Sequence, residues 1–187
     1  MFIRMLLIFA ALAYPLKAAP WGIIDPDTRV EVGVPWLGNV VRMRFDDVSG
    51  AIDFDARRPD RARADILVDV TTVETGLGIV NAFVKGPDYL NARAFPQIRF
   101  QLDRLEQTSK STADIYGRIT FLGITRPVLF EATAFRYGPN DDQSGRFEAG
   151  FDLSGEIDRR SYGHTTGLPE IAAVLPVRIR LLMTPEE

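Results

Sequence analysis

Few residues of the chain have types and spacings that would suit catalysis. His164, the one histidine, follows Ser161 by three positions. A nucleophilic serine needs a positioned base and a third group that orients this base, and residues three apart in a loop seldom have that geometry. We therefore interpret His164 as a loop residue with a local hydrogen bond, and we predict no catalytic residue.

Paired carboxylates are the second candidate for a catalytic or cation-binding site. Asp53 and Asp55 flank Phe54, and Asp65 and Asp69 share one phase of another apparent strand. Such pairs can act as acid and base or bind a hard cation. The alternation puts all four on the polar face of their strands, where charged side chains are normally solvated. No metal-ligand spacing or glycine-rich phosphate loop occurs, so the sequence predicts neither a metal nor a cofactor.

The segment Asp158-Arg159-Arg160 leads into Ser161-Tyr162-Gly163. An arginine near the mouth of a folded sheet can bind a phosphate or carbonyl head group through its rigid fork of donors. Alternatively, it can form a structural salt bridge that anchors the turn. The sequence leaves both interpretations open.

These residues are positioned by strands, because apolar and polar residues alternate along almost the whole chain. The alternation predicts an all-β fold of roughly eight or nine antiparallel strands, closed into a barrel, with a sandwich as the alternative. The apolar rows are Val30 to Val34, Val41 to Phe45, Gly50 to Phe54, Ala64 to Val70, Ile98 to Leu102, Ile115 to Phe121, Val128 to Ala134, Phe147 to Leu153 and Val177 to Met183.

Two breaks in this pattern are informative. Between two alternating runs, the chain breaks at Gly123 to Pro127, where we expect a positive φ at Gly123 and a strand that begins near Pro127. Between Thr75 and Pro96 the apolar residues recur at helical spacing, which predicts a short helix followed by a turn. Such a helix plugs a barrel mouth, caps its edge or lies on its surface.

The composition limits the possible partners and the possible sources of stability. The chain has 187 residues, no cysteine and a net charge of −3. Its basic residues are scattered, so nucleic acid is not an expected partner. Without disulfides, packing and strand pairing must supply the stability.

The N-terminal residues have the pattern of a secretory signal. Arg4 precedes an apolar run of about ten residues that is too short to span a bilayer. We expect cleavage after Ala13 or, as a second choice, after Ala18, within a signal peptide of residues 1–18. Residues 19–187 would then form a single domain, located in the periplasm or secreted, with no stable membrane span.

Two segments are the most specific in combination, the turn Leu122 to Val128 and the segment Ile157 to Gly163. Five further segments precede them in the chain: Trp21 to Asp25, Phe45 to Asp55, Thr75-Gly76, Tyr89-Leu90 and Phe95 to Phe100. Taken together and in their order along the chain, these segments resemble the YceI-like family.

This resemblance implies an exported, eight-stranded, lipocalin-like barrel that binds a polyisoprenoid or a similar long amphiphile. A quinone, a polyprenyl lipid or a fatty-acid-like lipid would be the partner, and a homodimer is left open. A solidly packed barrel that serves as an interaction or stress-protective module is the alternative function, and a hydrolase or isomerase is a distant third. The sequence does not decide between a hollow and a packed interior, since inward phenylalanines suit both.

The expected ligand-binding residues are those in the inward phase of the strands, with one in the helix. Three polar residues are candidates for the head group: Asn81, Arg159 and Tyr162. The apolar set is Phe45, Phe54, Ile66, Val68, Phe83, Ile98, Phe100, Ile119, Phe121, Phe130 and Phe151.

Overall fold

Ten strand segments and one short α-helix make up the described part of the chain. The structure, a computed structural model, describes residues 20–141 and 145–186, so the predicted signal peptide lies outside the described residues. The elements are β1 Pro20–Ile23, β2 Arg29–Trp36, β3 Asn39–Phe45, β4 Val48–Asp53, β5 Arg63–Asp69, α1 Gly78–Val84, β6 Gln97–Gln107, β7 Thr112–Phe121, β8 Ile124–Pro139, β9 Phe147–Asp158 and β10 Val174–Pro185. Short 3₁₀ turns cover Pro59–Arg61, Val70–Thr72 and Arg159–Tyr162.

These ten segments form a closed antiparallel barrel of eight strands, as predicted. β1 and β2 together form one interrupted strand, because both pair with β10 on one side and with β4 and β3, respectively, on the other. β3 and β4 likewise form one strand that is interrupted at residues 46–47. From β4 to β10 each strand pairs with the next in sequence. The sheet is therefore an up-and-down barrel closed by β10 against β1 and β2.

The predicted alternation decides which side chains face outward. Arg99 and Arg118 lie on the outer surface, where they pair with Asp65 and Asp103 of the neighbouring strands. Asp65 is thus a surface ion-pair partner and not part of a carboxylate site. A register shift between Leu102 and Arg104 in β6 changes the phase, so that Leu105 as well as Leu102 faces the interior.

The β7–β8 connection is a two-residue hairpin turn. Leu122 and Gly123 have φ of 49° and 75°, as a type I′ turn requires, so the positive φ predicted for Gly123 is confirmed. The expectation that a strand begins near Pro127 was wrong. β8 begins at Ile124, and Pro127 lies in the part of β8 that pairs with β7 before pairing with β9 starts at Phe130. Its missing N–H is tolerated there because that side of the strand is free of a neighbour.

The predicted helix is α1, which lies at one end of the barrel. After α1 the chain turns back through backbone hydrogen bonds from Leu90 N to Val84 O and from Ala92 N to Lys85 O. Leu90 packs in a core cluster with Phe45, Val70 and Val73 beneath the helix. Among the described residues, no helix combines the length and the apolar character needed to cross a membrane.

We expect Gly123→Ala to destabilise the protein by about 1 to 3 kcal/mol, because a residue with a Cβ is strained at positive φ. The added Cβ would also lie 3.1 Å from Cε1 of Phe95. Urea unfolding followed by circular dichroism measures the loss. Gly78→Ala is the matched control, since no atom lies within 4 Å of the Cβ it would add. Equal stability of the two variants would contradict the assignment of this turn.

Candidate functional site

The interior of the barrel is hollow. It contains two apolar cavities of about 540 and 200 Å³, here called the upper and the lower chamber. The upper chamber lies beneath α1 and residues 163–173, and the lower chamber extends toward β1. The sequence left open whether the interior is hollow or packed with side chains, and these cavities favour the hollow interior.

Thirteen of the fourteen predicted site residues line these chambers. Phe83, Phe121, Arg159 and Tyr162 line the upper chamber. Phe45, Ile98 and Ile119 line both chambers. The lower chamber is lined by Phe54, Ile66, Val68, Phe100, Phe130 and Phe151.

The remaining residue, Asn81, does not line either chamber. Its side-chain oxygen accepts hydrogen bonds from the backbone N–H and the hydroxyl of Thr75, at 2.8 and 2.7 Å, and its side-chain nitrogen donates to Glu74 at 2.8 Å. The amide therefore fixes the chain that leads into α1. Its proposed head-group role is corrected to a structural one, because its polar atoms are already bonded at the entry to the helix.

A ring of apolar side chains lies at the boundary between the two chambers. Five residues, here called the waist, line both cavities. They are Val32, Phe45, Ile98, Ile119 and Ile157. These residues belong to five different strands, so a molecule that occupies both chambers must run between their side chains.

Aromatic rings form the walls of the lower chamber. Phe54 meets Phe151 edge to face at a centroid distance of 5.6 Å, and Phe100 meets Phe130 at 6.1 Å. Phe100 lies over Gly117, where an added Cβ would approach its ring to 2.4 Å. Gly117 thus leaves the space that the Phe100 ring needs. Trp21 seals this end, with its indole N–H donating to Phe54 O at 2.8 Å.

The upper chamber opens to solvent through an apolar mouth. Trp36, Ile79 and Phe83 line the chamber and are also 48%, 83% and 61% exposed. Phe83 packs against Tyr89, with ring centroids 4.7 Å apart. Glu170 is also exposed and lines the chamber, so the mouth is mainly apolar with one carboxylate.

A buried arginine is the main polar feature of the upper chamber. Arg159 is 2% exposed. Its guanidinium donates to the backbone oxygens of Thr166, Ile171 and Ala172 at 2.7 to 2.8 Å. No carboxylate of the described residues lies within salt-bridge distance of it, and the salt bridge of this segment joins Arg160 to Asp158 instead. The alternative of a structural salt bridge in this turn is thus found between Arg160 and Asp158, whereas Arg159 is anchored by backbone carbonyls.

His164 lies beside this arginine, and its protonation follows from the geometry. Nη1 of Arg159 is 3.0 Å from Nδ1 of His164, and Nε2 of His164 is 3.2 Å from Asp88 O. Because arginine can only donate, Nδ1 must accept and Nε2 must carry the proton. Burial, and secondly the charge of Arg159, lower the pKa of His164 below its ordinary value. His164 is therefore a neutral structural residue on the chamber wall.

Tyr162 supplies a second buried polar side chain on the wall of the upper chamber. Its side chain is 3% exposed, and burial raises the pKa of the phenol, with Arg126 acting in the opposite direction. The hydroxyl therefore stays protonated and can donate a hydrogen bond. The ring packs edge to face on Phe121 at 5.8 Å.

The sequence analysis missed several lining residues. Tyr89 lies within a segment that carried the family resemblance and His164 directly follows one, and Val34 and Met43 belong to recognised inward rows. Trp36 had no such signal, because only the pairing of the β2–β3 hairpin with residues 170–172 brings it to the mouth. Glu170, an exposed residue, is the only carboxylate among the described lining residues, so the chambers hold no pair of acids.

The sequence matches a known family over most of its length. Residues 21–183 match the model of the YceI-like domain. A UPF0312 protein of Enterobacter sp. strain 638 is 28% identical over 137 residues, which cover 73% of this chain and 68% of the relative. Protein YceI of Salmonella arizonae matches with the same identity and the same coverage.

Solved structures share the fold. BcnA of Burkholderia cenocepacia superposes with a TM-score of 0.76 at 19% identity, covering 86% of this chain and 98% of BcnA. A polyisoprenoid-binding domain from Saccharophagus degradans has a TM-score of 0.67 at 14% identity, covering 91% of this chain and 99% of that domain. At these identities the likeness concerns the fold, and it confirms the predicted barrel.

We expect the stability of the protein to fall as the pH drops below about 6.5, and His164 to contribute to this fall. Its pKa is lowered in the folded state, so the unfolded chain binds the proton more readily and acid favours unfolding. The His164→Gln variant keeps an acceptor and a donor but does not titrate. The thermal midpoints of both proteins at pH 8 and pH 5.5 test this expectation. An equally large drop in the variant would contradict it.

Proposed function

The chain belongs to the YceI-like domain family, and from this premise we propose that the protein is a non-enzymatic carrier of a single-chain isoprenoid or similar amphiphile. The observation that supports this proposal most directly is the hollow, apolar interior of the barrel. The shared fold with the polyisoprenoid-binding domain of Saccharophagus degradans agrees with such a cargo. An acid–base enzyme has less support, because the lining residues provide no second carboxylate beside the exposed Glu170.

The size of the chambers limits how much of the ligand is enclosed. Benzene fills an apolar cavity of about 150 Å³, or about 25 Å³ per carbon. The upper chamber of about 540 Å³ therefore takes about 20 carbons, and the lower chamber of about 200 Å³ about eight more. The enclosed part corresponds to about five isoprene units. A longer polyprenyl chain or a quinone of 40 carbons would extend outward through the apolar mouth.

The affinity would come mainly from removing the tail from water. Burial contributes about 0.8 kcal/mol per methylene before the costs of ordering the ligand. At about 0.3 kcal/mol per atom for large ligands, a fully enclosed chain would bind with about 8 kcal/mol, which is a micromolar dissociation constant. Such an affinity suits a carrier that must also release its cargo.

We expect Val32→Phe to shorten the longest chain that the protein encloses, because the larger ring fills the waist and closes the lower chamber. Saturated fatty acids of 12 to 24 carbons, tested by displacement of the neutral probe N-phenyl-1-naphthylamine, measure the dependence on length. In the wild type the affinity should rise over the whole series, since the two chambers together take about 28 carbons. In the variant the rise should stop at about 20 carbons, which is the capacity of the upper chamber alone.

Arg99→Gln, on the outer surface, is the control for this experiment and should leave the profile unchanged. Circular dichroism confirms that the compared variants are folded. The same profile in Val32→Phe and the wild type would show that the tail does not pass the waist. Failure of the wild type to bind any chain, together with no lipid in an organic extract of the purified protein, would overturn the carrier proposal.

Export is part of the proposed function and rests on the N-terminal sequence. Expressed in a Gram-negative host, the protein should appear in the periplasmic fraction with its N-terminus at Tyr14 or Ala19. Intact mass spectrometry measures this terminus. A full-length chain retained with the membranes would contradict the proposed cleavage and location.

A further inference from the structure

The upper chamber has a mainly apolar wall with a buried polar part and one exposed carboxylate, Glu170. Arg159, Tyr162 and His164 all line the chamber, and two of them belong to the turn Arg159–Tyr162. An apolar cargo does not require a buried cation, and the burial of a charge without an anion is costly. An apolar cargo alone therefore does not explain why a buried cation lines this chamber.

One N–H group of the Arg159 guanidinium has no hydrogen-bond acceptor among the described residues. A guanidinium has five N–H groups. Nε donates to Ala172 O, the two hydrogens of Nη1 serve Thr166 O and His164, and Nη2 donates once, to Ile171 O. One N–H of Nη2 thus has no acceptor among the described residues. All acceptors of this guanidinium are neutral, so its positive charge is not balanced by a bonded carboxylate.

The hydroxyl of Tyr162 is a second donor without an acceptor. It forms no hydrogen bond with the described residues. Among these residues, every fully buried side-chain oxygen or nitrogen has a hydrogen-bond partner. The hydroxyl oxygen must therefore retain accessible surface, although the residue is 3% exposed and lies on the chamber wall. Arg126, which donates to Ser161 O, brings another positive charge to the same turn.

From these contacts we propose that the Tyr162 hydroxyl and the Arg159 guanidinium bind the anionic oxygen head group, a carboxylate or a phosphate, of a single-chain lipid. The inference rests on the proposed carrier function and adds the polarity and direction of the cargo. The head group lies in the upper chamber, and the tail runs past the waist toward Phe54 and Phe151. A cationic head group is disfavoured, because both groups donate and one is positively charged.

The test compares amphiphiles with the same tail of 16 carbons and different head groups. Palmitate, hexadecyl phosphate, hexadecanol and hexadecylammonium displace N-phenyl-1-naphthylamine from the delipidated protein at pH 8, below their micelle concentrations. We expect palmitate and hexadecyl phosphate to bind at least tenfold more tightly than hexadecylammonium, with hexadecanol between them. Inorganic phosphate should not displace the probe, because it lacks the tail, and displacement by it would place the site outside the lipid pocket and overturn the proposal.

Tyr162→Phe removes the hydroxyl while keeping the ring on Phe121, and it should reduce the preference for palmitate over hexadecanol about fivefold to tenfold. Tyr137→Phe, at an exposed tyrosine that lines neither chamber, should leave the preference unchanged. As a second measurement, the carboxyl ¹³C shift of labelled palmitate bound to the wild type should show ionisation at a lower pH than in a neutral micelle, because Arg159 favours the carboxylate.

The outcomes separate the two proposals. Binding of none of the four amphiphiles would overturn the carrier function itself. Equal binding of all four, or tighter binding of the ammonium, would leave the carrier function intact and overturn the head-group site. An unchanged preference in folded Tyr162→Phe, or a bound palmitate that titrates as in the micelle, would also overturn the head-group site.

Discussion

Closure of the sheet is the constraint on which the rest of the structure depends. Because β10 pairs with both β1 and β2, the sheet has no long free edge there, and every strand has one face toward a common interior. The interruptions at residues 24–28 and 46–47 let two long strands bend around the barrel. Inward positions must then be apolar, and charged residues such as Arg99 and Asp65 pair on the outside.

The barrel does not use its interior as a densely packed core. Side chains around the two chambers lack neighbours on one side and lose the dispersion contacts that a filled core would supply. Packing is concentrated in three clusters, around Phe45, around Phe130 and around Trp21 with Met183. An apolar ligand would restore contacts to the walls between these clusters, so binding and stability are coupled in this fold.

Glu148 and Arg159 are both buried and charged, but the groups that bond to them differ. Glu148 is 1% exposed and bonds to Arg136, Arg146 and Asn140. Burial alone raises its pKa, but these partners hold it below the ordinary value. Arg159, equally buried, has backbone carbonyls as its acceptors and keeps one donor over. The first arrangement is complete as a structural ion cluster, whereas the second can still bind an anion, and it lines the cavity.

The sequence by itself determined the strands, their inward and outward faces, the short helix and the positive φ at Gly123, because period-two alternation and glycine are local signals. Nearly all of the site residues that it named do line the chambers, since facing inward in a closed barrel means lining its interior. Only the tertiary structure decided that the interior is hollow, because the space between opposite walls depends on how Val32, Ile98 and Ile157 meet across the barrel. The structure also distinguished Asn81, whose amide bonds to Glu74 and Thr75, from Arg159, whose acceptors lie in a loop of residues 164–172 that has no recognisable pattern of its own.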